Sequence, residues 1–171
     1  NIILKPINNN NNVEASLILI IGADISNEMY IPLAEEIQKQ SNLKLWIGLP
    51  NFPRNIPNPM LLDKAIQNTL IDLETAGMKT NNHFYGGHSM GGAMIQGWVD
   101  KNDKNVLGQF LMGSFLTRAY KNDDRVTFNY SVPTLTIGGE LDGLARVTRI
   151  AEAYYTQITD SSLENAALHY P

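Results

Sequence analysis

The stretch Gly86-Gly87-His88-Ser89-Met90-Gly91-Gly92 decides the fold of this chain of 171 residues. It carries the pattern G-x-S-x-G between an apolar segment, which predicts a strand, and a segment with helical spacing. A serine on so sharp a turn has a strained backbone, and glycines two residues away on each side let the turn close because they lack a Cβ. The turn lifts the Ser89 hydroxyl above the sheet at a helix N-terminus, where the Met90 N–H and the helix dipole favour an anion. The alternative is a glycine-rich turn that contains a serine by chance.

Short apolar runs alternate with helical stretches on both sides of this turn. The alternation is typical of βα units, so we expect an α/β fold: a mostly parallel sheet with helices on both faces, in three αβα layers. The active sites of such sheets lie at the carboxyl ends of the strands. The predicted strands cover residues 17–21, 44–49, 83–87, 106–115 and 132–137, and the predicted helices cover 30–40, 59–76, 90–100 and 144–158.

Two of the predicted helices have a clear apolar stripe with steps of three and four residues. In the second helix the stripe consists of Leu62, Ile66, Leu70 and Leu73. In the last helix it consists of Leu144, Val147, Ala151, Tyr154 and Ile158. We expect these side chains to face the core.

The composition is typical of a single soluble globular domain spanning residues 1–171, with 43% apolar and 18% charged residues. The absence of Cys excludes disulfides, thiolate metal sites and a cysteine nucleophile. A net charge of −4 argues against nucleic-acid binding, and the longest apolar run, Leu17 to Ile21, is too short to span a bilayer. No metal-binding or phosphate-binding motif occurs, so we expect no cofactor and no metal, and a small molecule as the partner.

The two ends of the chain carry separate signals. The run Asn8 to Asn12 is a low-complexity polar tract, and we expect residues 1–14 to form a flexible, Asn-rich lead. The chain begins on Asn1 without Met and closes on Pro171. We therefore expect truncation at one or both ends.

The Gly86–Gly92 stretch resembles the nucleophile elbow of the α/β-hydrolase superfamily, whose esterases and lipases often carry His-Ser-Met in it. The resemblance extends from the strand at Leu17 to the helix ending near Ile158. It implies a triad of serine, acid and histidine in that chain order, with Ser89 as the nucleophile. The interval from Arg118 to Val132 is too short for a large cap domain, so the resemblance implies an open cleft suited to esters of modest size.

The acid of the triad follows the strand that ends at Ile137. In hydrolases of this fold a G-x-x-D after the penultimate strand commonly supplies it, and Asp142 occupies that position. Its role would be to hold the histidine in one tautomer and to stabilise the imidazolium. The alternatives are Glu140, two residues earlier, and a turn aspartate that caps the helix beginning at Leu144.

Two loops complete the expected site. After the first strand, the place of Ile21-Gly22-Ala23-Asp24 is where family members have an oxyanion loop, so the N–H of Ala23 or Asp24 would join that of Met90 in the oxyanion hole. Asp24 could instead cap the following helix. After the fourth strand, one short segment would line a substrate pocket or belong to an ordinary loop. That segment is Ser114, Phe115 and Leu116.

The general base is the least determined member of the triad. His83 begins a strand at the edge opposite the serine, and His88 cannot turn back to accept a proton from its neighbour's hydroxyl. One possibility is that residues 166–168 form a short strand leading to His169 as the base. The other is that the chain leads into a strand and histidine beyond Pro171, so that it is a fragment without its base.

Together these features predict a serine hydrolase that cleaves a carboxylic ester through a Ser-Asp-His triad and an acyl-enzyme. A thioesterase or acyltransferase would use the same triad and differ only in the acceptor that competes with water. A catalytically inactive α/β-hydrolase domain retained for binding is the alternative outside enzymes.

Overall fold

Strands and helices alternate along the part of the chain that the structure, a computed structural model, describes: residues 1–7, 13–102, 104, 106–120, 130–158 and 166–169. Only the backbone is described at residues 120, 154–158 and 166–169. The strands are β1 (Ile2–Leu4), β2 (Glu14–Ile20), β3 (Lys44–Leu49), β4 (His83–His88), β5 (Val106–Met112), β6 (Thr134–Ile137) and β7 (Ala166–His169). The α-helices are α1 (Ile31–Gln40), α2 (Pro59–Thr75), α3 (Met90–Lys101) and α4 (Val147–Ile158). Three short 3₁₀ helices cover Asn27–Tyr30, Pro53–Asn55 and Arg118–Tyr120.

All seven of these strands belong to one sheet in the order β1-β3-β2-β4-β5-β6-β7. Every neighbouring pair is parallel except β1 and β3. The ends of four adjacent strands lie side by side, since His88 pairs with Met112, Met112 with Ile137, and Ile137 with His169. The segments that follow these strands therefore gather at one edge of the sheet, which we call the carboxyl edge.

The core covers the sheet on both faces. Residues 15–20 of β2 are all buried although successive side chains point to opposite faces, which requires packed layers above and below the strand. At Gly48 of β3 a Cβ would lie 2.3 Å from Thr69 Cγ2, so α2 packs closely on this strand. This architecture confirms the expected mostly parallel sheet with helices packed on it. Within the described ranges, no helix is both long and apolar enough to cross a membrane.

The two outer strands of the sheet bear on the sequence predictions in different ways. The expected flexible lead over residues 1–14 does not hold for Ile2–Leu4, because these residues pair with β3 from Leu49 to Ile47. On the other side of the sheet, Ala166–His169 pair with Thr134–Ile137 of β6, in agreement with the possibility of a short strand over residues 166–168. The Asn8–Asn12 tract lies outside the described residues.

The last helix begins later than its apolar spacing predicts. It starts at Val147, and Leu144 before it is 92% exposed, so Leu144 does not face the core. Among the side chains of α4 that the structure describes, Ile150 and Ala153 are buried, while the predicted Val147 and Ala151 are half-buried. Ile150 and Ala153 lie outside the predicted series, and the side chains of Tyr154 and Ile158 lie outside the described residues.

Candidate active site

Ser89 lies at the turn between β4 and α3, half-buried at the carboxyl edge. Its φ is 50° and its ψ is −119°, a conformation that L residues other than glycine rarely adopt. Two backbone hydrogen bonds hold it, from Ser89 N–H to the Met112 carbonyl (2.8 Å) and from Ala93 N–H to the Ser89 carbonyl (3.0 Å). A strained serine so firmly held at the start of a helix is the geometry expected from G-x-S-x-G.

Gly87 and Gly91, on either side of Ser89, must be glycines because backbone atoms occupy the space that a Cβ would take. A Cβ on Gly91 would lie 2.3 Å from the Ile21 carbonyl oxygen, and one on Gly87 would lie 2.5 Å from Gly92 N. Contacts that short do not occur in proteins, so a side chain on Gly91 would force the loop after β2 away from the serine turn, and one on Gly87 would force α3 away from β4. Gly91 thus brings the loop after β2 and the serine turn together, and Gly87 lets the turn between β4 and α3 close.

Two of the three predicted oxyanion donors, Met90 and Ala23, remain candidates for the oxyanion hole. Met90 is the first residue of α3, so its N–H has no partner within the helix. Ala23 follows β2 and is half-buried. The Asp24 N–H instead donates to the Asn55 carbonyl (2.9 Å), which narrows the choice between Ala23 and Asp24 to Ala23.

Asp24 does not cap the following helix either. The residue at that position is Ser26, whose side chain makes no capping hydrogen bond. The φ of Asp24 is 59°, and its bond to Asn55 ties the loop after β2 to the loop after β3. Asp24 thus shapes the turn through its backbone.

The two carboxylate oxygens of Asp142 have different neighbours. Oδ1 accepts hydrogen bonds from Leu144 N–H (2.8 Å) and Ala145 N–H (2.9 Å), so the capping alternative describes one of its roles. Oδ2 lies 3.3 Å from the position that a Cβ on Gly113 would take, at the carboxyl edge after β5. Glu140, the alternative acid, is exposed.

His88 faces the same space as Asp142. Its Nε2 lies 3.5 Å from the position of a Cβ on Gly113, while its Nδ1 lies 2.7 Å from Tyr30 Oη. Burial lowers the pKa of His88, and the facing carboxylate of Asp142 raises it only in part, so the net shift is downward from 6.5. Sequence reasoning set His88 aside from proton transfer but did not reveal its contact with Tyr30, because 58 residues separate the two.

The other two histidines lie at opposite ends of their strands. His83 is the first residue of β4, at the end of the strand far from Ser89, and its Nδ1 lies 2.7 Å from Ser16 Oγ. The backbone of His169 ends β7 beside Ile137, at the carboxyl edge. The topology therefore brings the backbone of His169 to the same edge as Ser89 and Asp142.

The predicted pocket residues after β5 differ in how much surface they offer. Ser114 is 6% exposed and Leu116 is 1% exposed, so both are part of the packed interior. Phe115 is half-buried, and its carbonyl accepts a hydrogen bond from Gln96 Nε2 (2.9 Å). Of the three, Phe115 has the most surface to offer a substrate. Among the described side chains, no group of three His, Asp or Glu residues could hold a metal ion.

Comparison with known proteins assigns this arrangement to a family. A family model described as the alpha/beta hydrolase family matches residues 16–163, which include the serine turn and Asp142. The chain belongs to the alpha/beta hydrolase family. A search of curated proteins finds no match.

Several solved structures share the fold. Est1E from Butyrivibrio proteoclasticus, solved with ferulic acid, has a TM-score of 0.69 at 11% identity, over 99% of this chain and 84% of that one. A soluble variant of monoglyceride lipase from Saccharomyces cerevisiae, solved with a substrate analogue, has a TM-score of 0.67 at 11% identity, over 97% and 80%. A thermostable esterase has a TM-score of 0.63 at 13% identity; the match covers 99% of this chain but 49% of the esterase. At these identities the likeness is one of fold.

Proposed function

We propose that this chain carries the active site of a serine hydrolase that cleaves a carboxylic ester through an acyl-enzyme. The observation that carries the proposal is the strained φ of 50° at Ser89, held at the N-terminus of α3 beside the loop after β2. Such strain persists only where the surrounding structure enforces it, and it is concentrated at functional sites. The esterases and the lipase that share the fold support the choice of an ester as substrate.

In the first half of the reaction Ser89 Oγ attacks the ester carbonyl while a histidine takes the hydroxyl proton. The carbonyl oxygen becomes an oxyanion, to which the N–H groups of Met90 and Ala23 donate. Collapse of the intermediate breaks the bond to the alcohol, which leaves with the proton from the histidine. In the second half water attacks the acyl-enzyme by the same route, which releases the acid and restores Ser89.

We assign the histidine to His169 and its orienting carboxylate to Asp142. Support for His169 comes from the backbone of β7, which ends at the carboxyl edge beside β6. Support for Asp142 comes from Oδ2, which points to the space beside Gly113 at that edge. A neutral histidine between a serine and a carboxylate is held in one tautomer and is stabilised when it becomes charged.

Labelling with a fluorophosphonate probe tests the nucleophile in the complete protein. The probe reacts with activated serines, so Ser89 should be labelled, and Ser89→Ala should abolish both labelling and ester hydrolysis. Ser41→Ala is the matched control, because Ser41 ends α1 at the opposite edge and should leave both unchanged. Labelling that survives Ser89→Ala would contradict the proposal.

A second variant tests the base. His169→Gln should lower the rate of hydrolysis by several orders of magnitude, since Ser89 then lacks a proton acceptor. Hydrolysis at the wild-type rate in His169→Gln would show that another group is the base.

A further inference from the structure

Tyr30 connects the loop after β2 with the serine turn. Its side chain is buried, with 6% exposed, at the end of the 3₁₀ helix Asn27–Tyr30. Its Oη lies 2.8 Å from Gly22 N and 2.7 Å from His88 Nδ1. Gly22 lies just before the candidate oxyanion donor Ala23, and His88 lies just before Ser89. One hydroxyl thus joins the two segments that would hold the oxyanion.

The direction of one hydrogen bond follows from its atoms, and that of the other follows from the tautomer of His88. The Gly22 N–H can only donate, so Tyr30 Oη accepts it. When His88 carries its hydrogen on Nε2, the phenol donates its own hydrogen to His88 Nδ1. The Nε2 atom is on the side where Asp142 Oδ2 lies against the same space beside Gly113. A carboxylate on that side favours this tautomer.

The Ala23 peptide is anchored on both sides. The preceding N–H, from Gly22, is bound to Tyr30, and the following N–H, from Asp24, is bound to the Asn55 carbonyl. Two bonds that hold the neighbouring N–H groups fix the orientation of the peptide between them. The Ala23 N–H is therefore set in one direction before any substrate binds.

We propose that Tyr30 and His88 are positioning residues, which hold the loop Ile21–Asp24 against the serine turn so that the Ala23 and Met90 N–H groups converge on one oxyanion. This inference rests on the proposed function of Ser89. Neither side chain touches the reacting atoms; each acts through the peptide that it anchors. Preorganised donors are effective because they do not have to reorient during the reaction.

The charge states of both groups suit this role. Burial raises the pKa of Tyr30, and the hydrogen bond from Gly22 N–H lowers it only in part, so the phenol keeps its proton at neutral pH. Burial likewise keeps His88 neutral, so that its Nδ1 accepts. The bridge from Gly22 to His88 is therefore complete at neutral pH.

Tyr30→Phe tests the proposal, because it removes one hydroxyl and leaves the ring. We expect kcat for a soluble p-nitrophenyl ester to fall about 10²-fold, the size of effect seen when an oxyanion donor is lost or misplaced, with KM nearly unchanged. Tyr85→Phe is the matched control, since it removes the hydroxyl of a buried tyrosine whose ring packs against Trp98 at an interplanar angle of 48° and makes no contact with Tyr30 or His88 among the described ring contacts. It should leave kcat unchanged.

Two variants of His88 separate positioning from packing. His88→Asn keeps an acceptor near the place of Nδ1 and should retain most of the wild-type kcat, whereas His88→Leu should lower kcat as much as Tyr30→Phe. The double variant Tyr30→Phe/His88→Leu should lose no more than either single variant, because both remove the same bridge. If Tyr30→Phe does not fold, the two His88 variants still test the positioning role.

The outcomes distinguish this proposal from the proposed function. A wild-type protein that neither hydrolyses esters nor labels at Ser89 overturns both. An active wild type with an unchanged kcat in Tyr30→Phe, or with a raised KM as its only change, overturns the positioning role alone. The ¹⁵N resonances of the histidine rings give a readout without activity: His88 Nδ1 should have the shift of a hydrogen-bonded acceptor, and this shift should move in Tyr30→Phe but not in Tyr85→Phe.

Discussion

Asp142 combines a structural role with the chemical role that we propose for it. Its Oδ1 closes the turn before α4 by accepting two backbone hydrogen bonds, from Leu144 and Ala145. Its Oδ2 faces the space beside Gly113, where the proposed triad would need a carboxylate. The two roles depend on different properties, since a turn needs only an acceptor oxygen and a triad needs a negative charge.

Substitutions at Asp142 should separate these roles. Asp142→Asn keeps an acceptor at Oδ1, so its stability should stay near that of the wild type, while kcat should fall by several orders of magnitude because the charge is lost. Asp142→Ala should lose the same activity and in addition about 0.5–2 kcal/mol of stability, the usual contribution of such a cap. Urea unfolding and ester hydrolysis measure the two effects. Equal stability of the Asn and Ala variants would show that the hydrogen bonds at Oδ1 contribute nothing.

At the scale of elements, Gln96 connects α3 to the loop that follows β5. Its side chain is fully buried, with Nε2 donating to the carbonyls of Gly92 (2.8 Å) and Phe115 (2.9 Å). Its Oε1 accepts from Thr117 N–H (2.9 Å). The helix α3, which begins directly after Ser89, therefore also holds in place the loop that carries the candidate pocket residues.

Gln96→Met should disconnect this loop from α3 while keeping a side chain of similar length. The Phe115 carbonyl and the Thr117 N–H would then lose a partner, at a loss of about 1–3 kcal/mol in the free energy of unfolding. Gln40→Met is the matched control, since Gln40 is exposed on α1, and its change should stay within about 0.5 kcal/mol. The midpoint and slope of urea unfolding report the change. A shift in Gln96→Met no larger than that of the control would contradict this role.

Apolar spacing predicted the buried face of α2 better than that of α4. In α2 the predicted Leu62, Ile66 and Leu73 are buried and Leu70 is half-buried. In α4 the helix starts only at Val147, and the buried Ile150 and Ala153 lie outside the predicted series. Spacing shows which residues share a helix face, whereas the elements packed against the helix decide which face is buried.

At the scale of the whole molecule, the mostly parallel pairing of the sheet was predictable from the alternation of strands and helices, but its two outer strands were less so. β1 has three residues, and β7, with four, was one of two possibilities for that part of the chain; neither is long enough for a clear pattern, and their neighbours in the sheet define them. The serine turn was predictable because its chemistry is local. The bridge through Tyr30 was not, since it joins residues far apart in sequence and needs the finished sheet.

The two half-buried histidines His83 and His88 should make the stability of the molecule depend on pH. Burial lowers the pKa of both His83 and His88 below the 6.5 of an unfolded chain, and the nearby carboxylates of Glu74 and Asp142 offset this only in part. Because the unfolded state then binds more protons, the free energy of unfolding should be fully retained above about pH 6.5. It should decrease as the pH falls through the lowered pKa values of the folded state.

Urea unfolding between about pH 7.5 and 5.5, above the range in which most carboxylates titrate, measures this dependence. Each histidine can contribute at most about 1.4 kcal/mol per pH unit, so His83→Asn and His88→Asn should each make the decrease shallower, and the double variant should make it shallower still. The two sites lie at opposite ends of β4, so their effects should be nearly additive. If the double variant loses stability with falling pH as steeply as the wild type, other groups dominate the titration of the folded state. If only His88→Asn reduces the slope, the pH sensitivity belongs to the active-site edge, and activity and stability should then decline over the same range of pH.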